Sequence, residues 1–233
     1  MLCLSGLLYD GRRSNAGKSS FYRWGYEIFT QPQTLHDVTA GVNDLTRYYA
    51  TEESFNRKNA TPDNWYGTLH RLKYTLFEYE LHLLTTVGKG KQPLLTWEQL
   101  NDSTIEHILP QTPEENSHWK SVWNSDRFKT CLHDVANLVL TQNNSNFRNF
   151  EFSRKKGTPG QSPSYINSDI RQERKISIFP DWTPKEFMER RSELVAWIDD
   201  RWKTEGGHSA TPLEVVDEAD EDGIEAQVEG STP

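Results

Sequence analysis

The stretch Thr104-Ile105-Glu106-His107-Ile108-Leu109-Pro110-Gln111 decides how this chain is read. Glu106 and His107 sit between Ile105 and Ile108, and Pro110 follows, so the segment reads as a short strand ended by proline. Neighbours on a strand point to opposite faces, which makes a simple internal Glu106–His107 ion pair a poor explanation. Both side chains can still approach one small site if the strand ends there, and Pro110 indicates that it does. Downstream, Asn137-Leu138-Val139-Leu140-Thr141 makes a second apolar strand. The polar run Gln142-Asn143-Asn144-Ser145-Asn146 then offers turn and N-cap residues, and Phe147, Phe150 and Arg154 fall on one face of a following helix. The order is strand, long loop, strand, helix.

That order, carried by Glu-His-Ile-Leu-Pro-Gln, Asn-Leu-Val-Leu-Thr, an Asn nine positions after Asn137 and the Phe152-to-Lys155 stretch, resembles the HNH (ββα-metal) nuclease fold. More closely it resembles the HNH domain at the C-terminus of GmrSD-type, modification-dependent restriction endonucleases, over roughly residues 68–203. The resemblance implies an α+β, mainly helical fold, with a ββα-metal hairpin-plus-helix core packed on surrounding helices. It implies that Glu106 and Asn146 hold one Mg²⁺ or Mn²⁺, that His107 is the general base, and that Asn137 braces the hairpin and orients His107. Arg148, Arg154, Lys155 and Lys156 would meet DNA phosphates. A nucleotide-hydrolysing domain or chain is the implied partner. Two positions depart from the group's pattern: Glu106 stands where Asp is common, and Ala136 where Gly is common. Neither change removes a functional group.

The residue types suit the chemistry. Phosphodiester hydrolysis needs an activated water, charge neutralisation at phosphorus and a stabilised leaving alkoxide; a divalent cation and one base supply all three. Imidazole titrates near neutrality, and carboxylate and amide oxygens are hard donors that suit Mg²⁺ or Mn²⁺. Each residue also has a plainer reading. Glu106–His107 could be a rim ion pair, Asn137 and Asn146 turn or cap residues, and Arg154-Lys155-Lys156 a solvated helix end. His133, just upstream of Asn137, is a further candidate polar contact. The rival function is a non-catalytic nucleic-acid or protein interaction module on the same scaffold.

The net charge of −8 is misleading, because nine acidic residues and no Lys or Arg lie from Glu205 onward. Residues 1–204 then hold 25 acidic against 26 basic residues, near neutrality. Global charge therefore says nothing about a polyanionic partner, and local placement decides. Cys3 and Cys131 lie far apart, so neither a disulfide framework nor a zinc ribbon is expected. No apolar run reaches membrane-spanning length and no leader is visible, so a cytoplasmic protein without a membrane partner is expected.

Three regions follow. Residues 1–100 read as a helical scaffold, 101–204 as the nuclease domain with a C-terminal helix, and 205–233 as a disordered acidic tail. In the first, Gly11 to Ser19 invites a phosphate-loop reading, but five residues separate Gly11 from Gly17 and no buried strand precedes it. A helix is predicted over 36–50, and a longer one from Thr61-Pro62 to Gly88 with Trp65, Leu69, Leu72, Leu76, Tyr79 and Leu83 as a core stripe. The Pro/Gly/Ser-rich segment 157–168 reads as a mobile loop beside the site. Thr183-Pro184-Lys185-Glu186 is a capping box that starts the last helix, with Phe187, Arg191, Leu194, Ile198 and Trp202 along one face.

Overall fold

The computed structural model describes residues 18–31, 35–49, 52–87 and 94–202. The acidic tail and most of the Gly11–Ser19 run lie outside these residues. The elements in chain order are α1 (Lys18–Thr30), α2 (Leu35–Tyr49), α3 (Glu52–Asn59), α4 (Leu69–Val87), β1 (Ile105–His107), α5 (His118–Val122), α6 (Ser125–Cys131), β2 (Leu138–Leu140), α7 (Asn144–Phe147), α8 (Phe152–Lys156), α9 (Arg171–Ile176) and α10 (Pro184–Trp202). The fold is mainly helical with one small antiparallel sheet. Among the described residues no helix is long and apolar enough to cross a membrane.

The chain forms two compact units, one containing residues 17–48 and the other residues 49–203. In the first, Trp24 of α1 and Val38 and Leu45 of α2 are buried. Gly41 lets the Trp24 indole lie against the α2 backbone, where a Cβ would come within 2.8 Å of the ring.

The second unit is organised by its sheet. Ile105 pairs with Leu140, Glu106 with Val139 and His107 with Leu138. Strand alternation divides the apolar side chains between two cores. Ile105, Leu138 and Leu140 join Leu72, Leu76, Tyr79 of α4 and Leu194, Ile198 of α10. Val139 joins the opposite cluster with Phe152 of α8, Tyr165, Trp182 and Phe187. The core thus runs across residue 100, and α4 belongs to the same compact unit as the hairpin.

Two sequence expectations are corrected here. The long helix begins at Leu69, not Thr61. Asn64 Oδ1 accepts from Gly67 N at 2.8 Å, closing a turn, and the Trp65 and Tyr66 amides donate to His133 O at 2.9 and 3.2 Å. Turn chemistry and tertiary pairing override the apolar spacing at that end. The helix after β2 is in fact two, α7 and α8, broken at Arg148, whose φ of 45° ends the first. The 157–168 segment is tied together by Asn167, whose amide donates to Thr158 O, Gln161 O and Ser164 Oγ.

The capping box forms at α10. Glu186 Oε2 accepts from Thr183 N at 3.1 Å and from its hydroxyl, and Thr183 Oγ1 accepts from Lys185 N at 3.2 Å. Thr183→Ala is expected to cost about 1 kcal/mol in urea denaturation, the usual loss for an N-cap.

α10 also carries two buried arginines onto the turn before β2. Arg190 donates to Ala136 O at 2.5 Å and Leu138 O at 3.1 Å. Arg191 reaches Asp134 Oδ2 at 3.3 Å and Thr61 O at 2.6 Å. Asp134 in turn accepts from Ala136 N and Asp63 N at 2.9 and 3.0 Å. These contacts fix residues 134–138, which follow His133, a partner of His107 in the site described next.

Candidate active site

A small pocket of about 140 Å³ opens where β1 ends, lined by Tyr66, Ile105, Glu106, His107, Pro110, Gln111, Asn144, Arg148 and Asn149. His107 is its central group. Its Nε2 lies 3.1 Å from His133 Nδ1, and its Nδ1 lies 3.3 Å from Gln111 Nε2. An amide nitrogen can only donate, so we assign the lone pair to His107 Nδ1 and the proton to Nε2, which gives it to His133. Tyr66 packs edge-on against His107 with ring centres 4.7 Å apart and stacks on His133 at 5.5 Å. Burial, then His133 and Lys155, push the His107 imidazolium down to about 3, so the ring is neutral at physiological pH.

Asn137 is wholly buried and uses all of its amide. Its Oδ1 accepts from Leu109 N at 2.8 Å and Trp182 Nε1 at 3.2 Å; its Nδ2 donates to Leu109 O at 3.0 Å and Leu132 O at 2.8 Å. Leu109 follows His107 by two residues and Leu132 precedes His133. Asn137 therefore ties together the two segments that carry the histidines, without lining the pocket itself.

Glu106 also borders this pocket, but its carboxylate is held by Lys155. Its Oε1 is 2.6 Å from Lys155 Nζ and 3.4 Å from the Tyr165 hydroxyl, and the side chains of Glu106 and Lys155 are 3% and 0% exposed. Lys155 also donates to His107 O at 2.7 Å and Ile108 O at 3.1 Å. Burial raises the Glu106 carboxyl and lowers the Lys155 ammonium, while their mutual attraction opposes both. Lys155 is thus a clamp on β1 and does not reach solvent as a phosphate anchor. Lys156 is also turned inward, donating to Phe179 O at 2.7 Å. Arg148 and Arg154 are exposed.

Asn146 is not with Glu106. It lines a larger neighbouring cleft, while Asn144 lines the His107 pocket. Two positions on a helix stand about 200° apart at 3.6 residues per turn, so α7 cannot present both to one side. Asn144 is held by its amide, which donates to Ile105 O at 2.8 Å. Glu106 and Asn146, the pair expected to hold Mg²⁺ or Mn²⁺, thus line two neighbouring clefts that share Arg148. Among the described residues no group of three or more His, Cys, Asp or Glu is placed to hold a metal ion.

Tyr66, Gln111, Asn144 and Asn149 are pocket residues that sequence reasoning passed over. Gln111 lies inside the quoted motif and one strand-length from His107, which is a usable signal. Tyr66 has none, because its position depends on the long-range bond to His133 O.

A second buried carboxyl, Glu173, lies behind the sheet. Neither oxygen makes a well-formed hydrogen bond, and burial, with Glu106 and Glu80 nearby, raises its pKa to about 8. A carboxyl whose folded pKa lies above its unfolded one adds stability below about pH 4.5 that is lost as pH rises through 8. Glu173→Gln is expected to flatten that decline, making the variant gain relative to wild type between pH 5 and 9 in thermal melts. A parallel pH dependence of the two melts would refute it.

No curated protein and no solved structure matches the chain significantly. Residues 49–197, the compact unit that holds β1, β2, His107 and Asn137, match the family model described as GmrSD restriction endonucleases, C-terminal domain. With well over half of its length matched, the chain belongs to the family of GmrSD restriction endonuclease C-terminal domains.

Proposed function

We propose that this chain is a DNA endonuclease domain of the HNH type that hydrolyses phosphodiesters, with His107 taking the proton of the attacking water. The observation that carries it is the His133–His107–Gln111 chain of contacts in a pocket at the end of β1. A water that displaces the Gln111 amide meets the Nδ1 lone pair. As that proton arrives, the Nε2 proton passes to His133, so the buried ring need not hold a positive charge that burial disfavours. His133 is less buried and better placed to carry it. Arg148 at the pocket rim offers charge to the phosphate.

Mg²⁺ or Mn²⁺ is expected from the family likeness, and would neutralise charge at phosphorus and on the leaving oxygen. The arrangement of Glu106 and Asn146 does not fit that ion, so no step is assigned to it. The same observation favours the second reading, a non-catalytic DNA-binding module, because a Glu106 locked to Lys155 is not free to bind a cation.

Nicking of supercoiled plasmid, modified and unmodified, in Mg²⁺, Mn²⁺ or chelator separates the two. Cleavage that requires the divalent ion and is lost in His107→Ala is the expected outcome. DNA binding without cleavage under every condition would establish the binding module instead.

A further inference from the structure

Beside the His107 pocket lies a cleft of about 510 Å³, within the range of about 300–1,000 Å³ typical of small-ligand sites. Its distinctive walls are Asn146, Arg148, Phe150, Ser153, Arg154 and Gln161, completed by the serine-rich turn at 162–164. No Asp or Glu lines it. Arg148 uses its Nε on Ser145 O at 3.0 Å, and the Arg154 guanidinium carbon lies 3.3 Å from the centre of the Phe150 ring. Among the described residues neither arginine forms an ion pair, in contrast to the buried Arg191, which is held by Asp134. Two guanidinium groups without carboxylate partners, set among hydroxyls and amides, make a site for an anion. The Phe150–Arg154 stack adds a flat cationic surface, the kind on which a nucleobase lies.

Arg148 connects this cleft to the chemistry. It lines both clefts, and it is the one non-glycine residue among those described with a positive φ, 45°. A bulky residue in that region is strained, and such strain concentrates at working sites.

We propose that the larger cleft binds one nucleotide of the DNA strand, its phosphate between Arg148 and Arg154 and its base on the Phe150–Arg154 stack. The phosphodiester next along the strand is then presented to His107 through the shared Arg148. The role in cleavage rests on the nuclease reading; the ligand class, a phosphate joined to a planar base, rests on the cleft alone.

The test is equilibrium binding of a fluorescent single-stranded tetranucleotide to the full chain in chelator, competed by thymidine monophosphate, thymidine and inorganic phosphate. Thymidine monophosphate should compete better than either fragment. Arg154→Gln, a change at an exposed side chain, should weaken the tetranucleotide on the order of tenfold or more. Phe150→Leu should weaken it about fivefold to a hundredfold by loss of stacking, while leaving competition by phosphate unchanged. Undiminished binding in both Arg154→Gln and Phe150→Leu, or phosphate competing as well as the nucleotide, would overturn the proposal. Cleavage distinguishes the two readings: a His107→Ala protein that still cuts, with binding sensitive to Arg154, removes the catalytic role and leaves the cleft. Cutting that depends on His107, with binding indifferent to Arg154 and Phe150, does the reverse.

Discussion

Lys155→Ala is expected to destabilise the chain by about 3–5 kcal/mol, the cost of removing one partner from a buried ion pair. The Lys155 ammonium has three protons and three acceptors: Glu106 Oε1 at 2.6 Å, His107 O at 2.7 Å and Ile108 O at 3.1 Å. Its side chain is 0% exposed, so the pair is shielded from bulk solvent. Truncation leaves a buried carboxylate whose remaining side-chain contact is the Tyr165 hydroxyl at 3.4 Å, together with two carbonyls deprived of their donor. It also leaves a void in the cluster around Phe152 and Tyr165. The sheet it clamps has three residues in each strand, too little to hold itself together. Against a domain stability of about 5–15 kcal/mol the loss is large. The diagnostic comparison is the double variant Lys155→Met/Glu106→Gln. It removes both charges at nearly constant volume and should recover much of what either single change loses. Urea denaturation of the four proteins gives the coupling directly. A Lys155→Ala midpoint close to wild type would show that Glu106 finds another partner, and would reopen its role as a metal ligand.

Lys155 also shows where the sequence is legible and where it is not. In the run Arg154-Lys155-Lys156 three cations look alike, and a basic helix end is normally solvated. The distinguishing sign is position: Lys155 follows Phe152 by three residues and shares its buried face. The strands, their order and the α10 capping box follow from local pattern and were readable. The α4 start, the break at Arg148 and the place of Tyr66 beside His107 were not. The first and last depend on a contact between segments far apart in the chain, Tyr66 N to His133 O, while the break at Arg148 lies in a positive φ that the residue type does not announce. The alternation of β1 speaks only against a direct Glu106–His107 ion pair, and both residues are expected at one site; what the pattern could not supply was Lys155, the group that holds Glu106.

His107→Ala is expected to lower the rate of DNA cleavage by about 10²–10⁴-fold, the contribution of a positioned general base, with DNA binding nearly unchanged. The ring's contacts are with His133, Gln111 and Tyr66, so the loss should fall on the chemical step. His133 divides the effect into two parts. His133→Ala removes both the acceptor that orients His107 Nε2 and the group that receives its proton. His133→Asn puts an amide oxygen near the position of Nδ1, restoring the acceptor but not the basicity. If orientation dominates, Asn should recover most of the rate that Ala loses; if the proton must pass on, it should recover little. The pH profile gives an independent reading. His107, held down to about 3, stays unprotonated throughout the working range, so its own titration should not make cleavage fall at pH 6.5, as a solvated histidine would. Its depressed pKa also means that stability present above pH 6.5 is lost as pH falls toward 3, so rates must be taken where the fold persists. Single-turnover nicking between pH 5.5 and 8 on wild type, His133→Ala and His133→Asn is the measurement. Burial lowers the His133 imidazolium below its ordinary range, so a fall that sets in below pH 6.5 in wild type and vanishes in His133→Asn would assign that limb to His133, because the receiving ring must be neutral to accept the proton. The same fall in all three would place the titrating group elsewhere and remove the relay, leaving His107 to act alone.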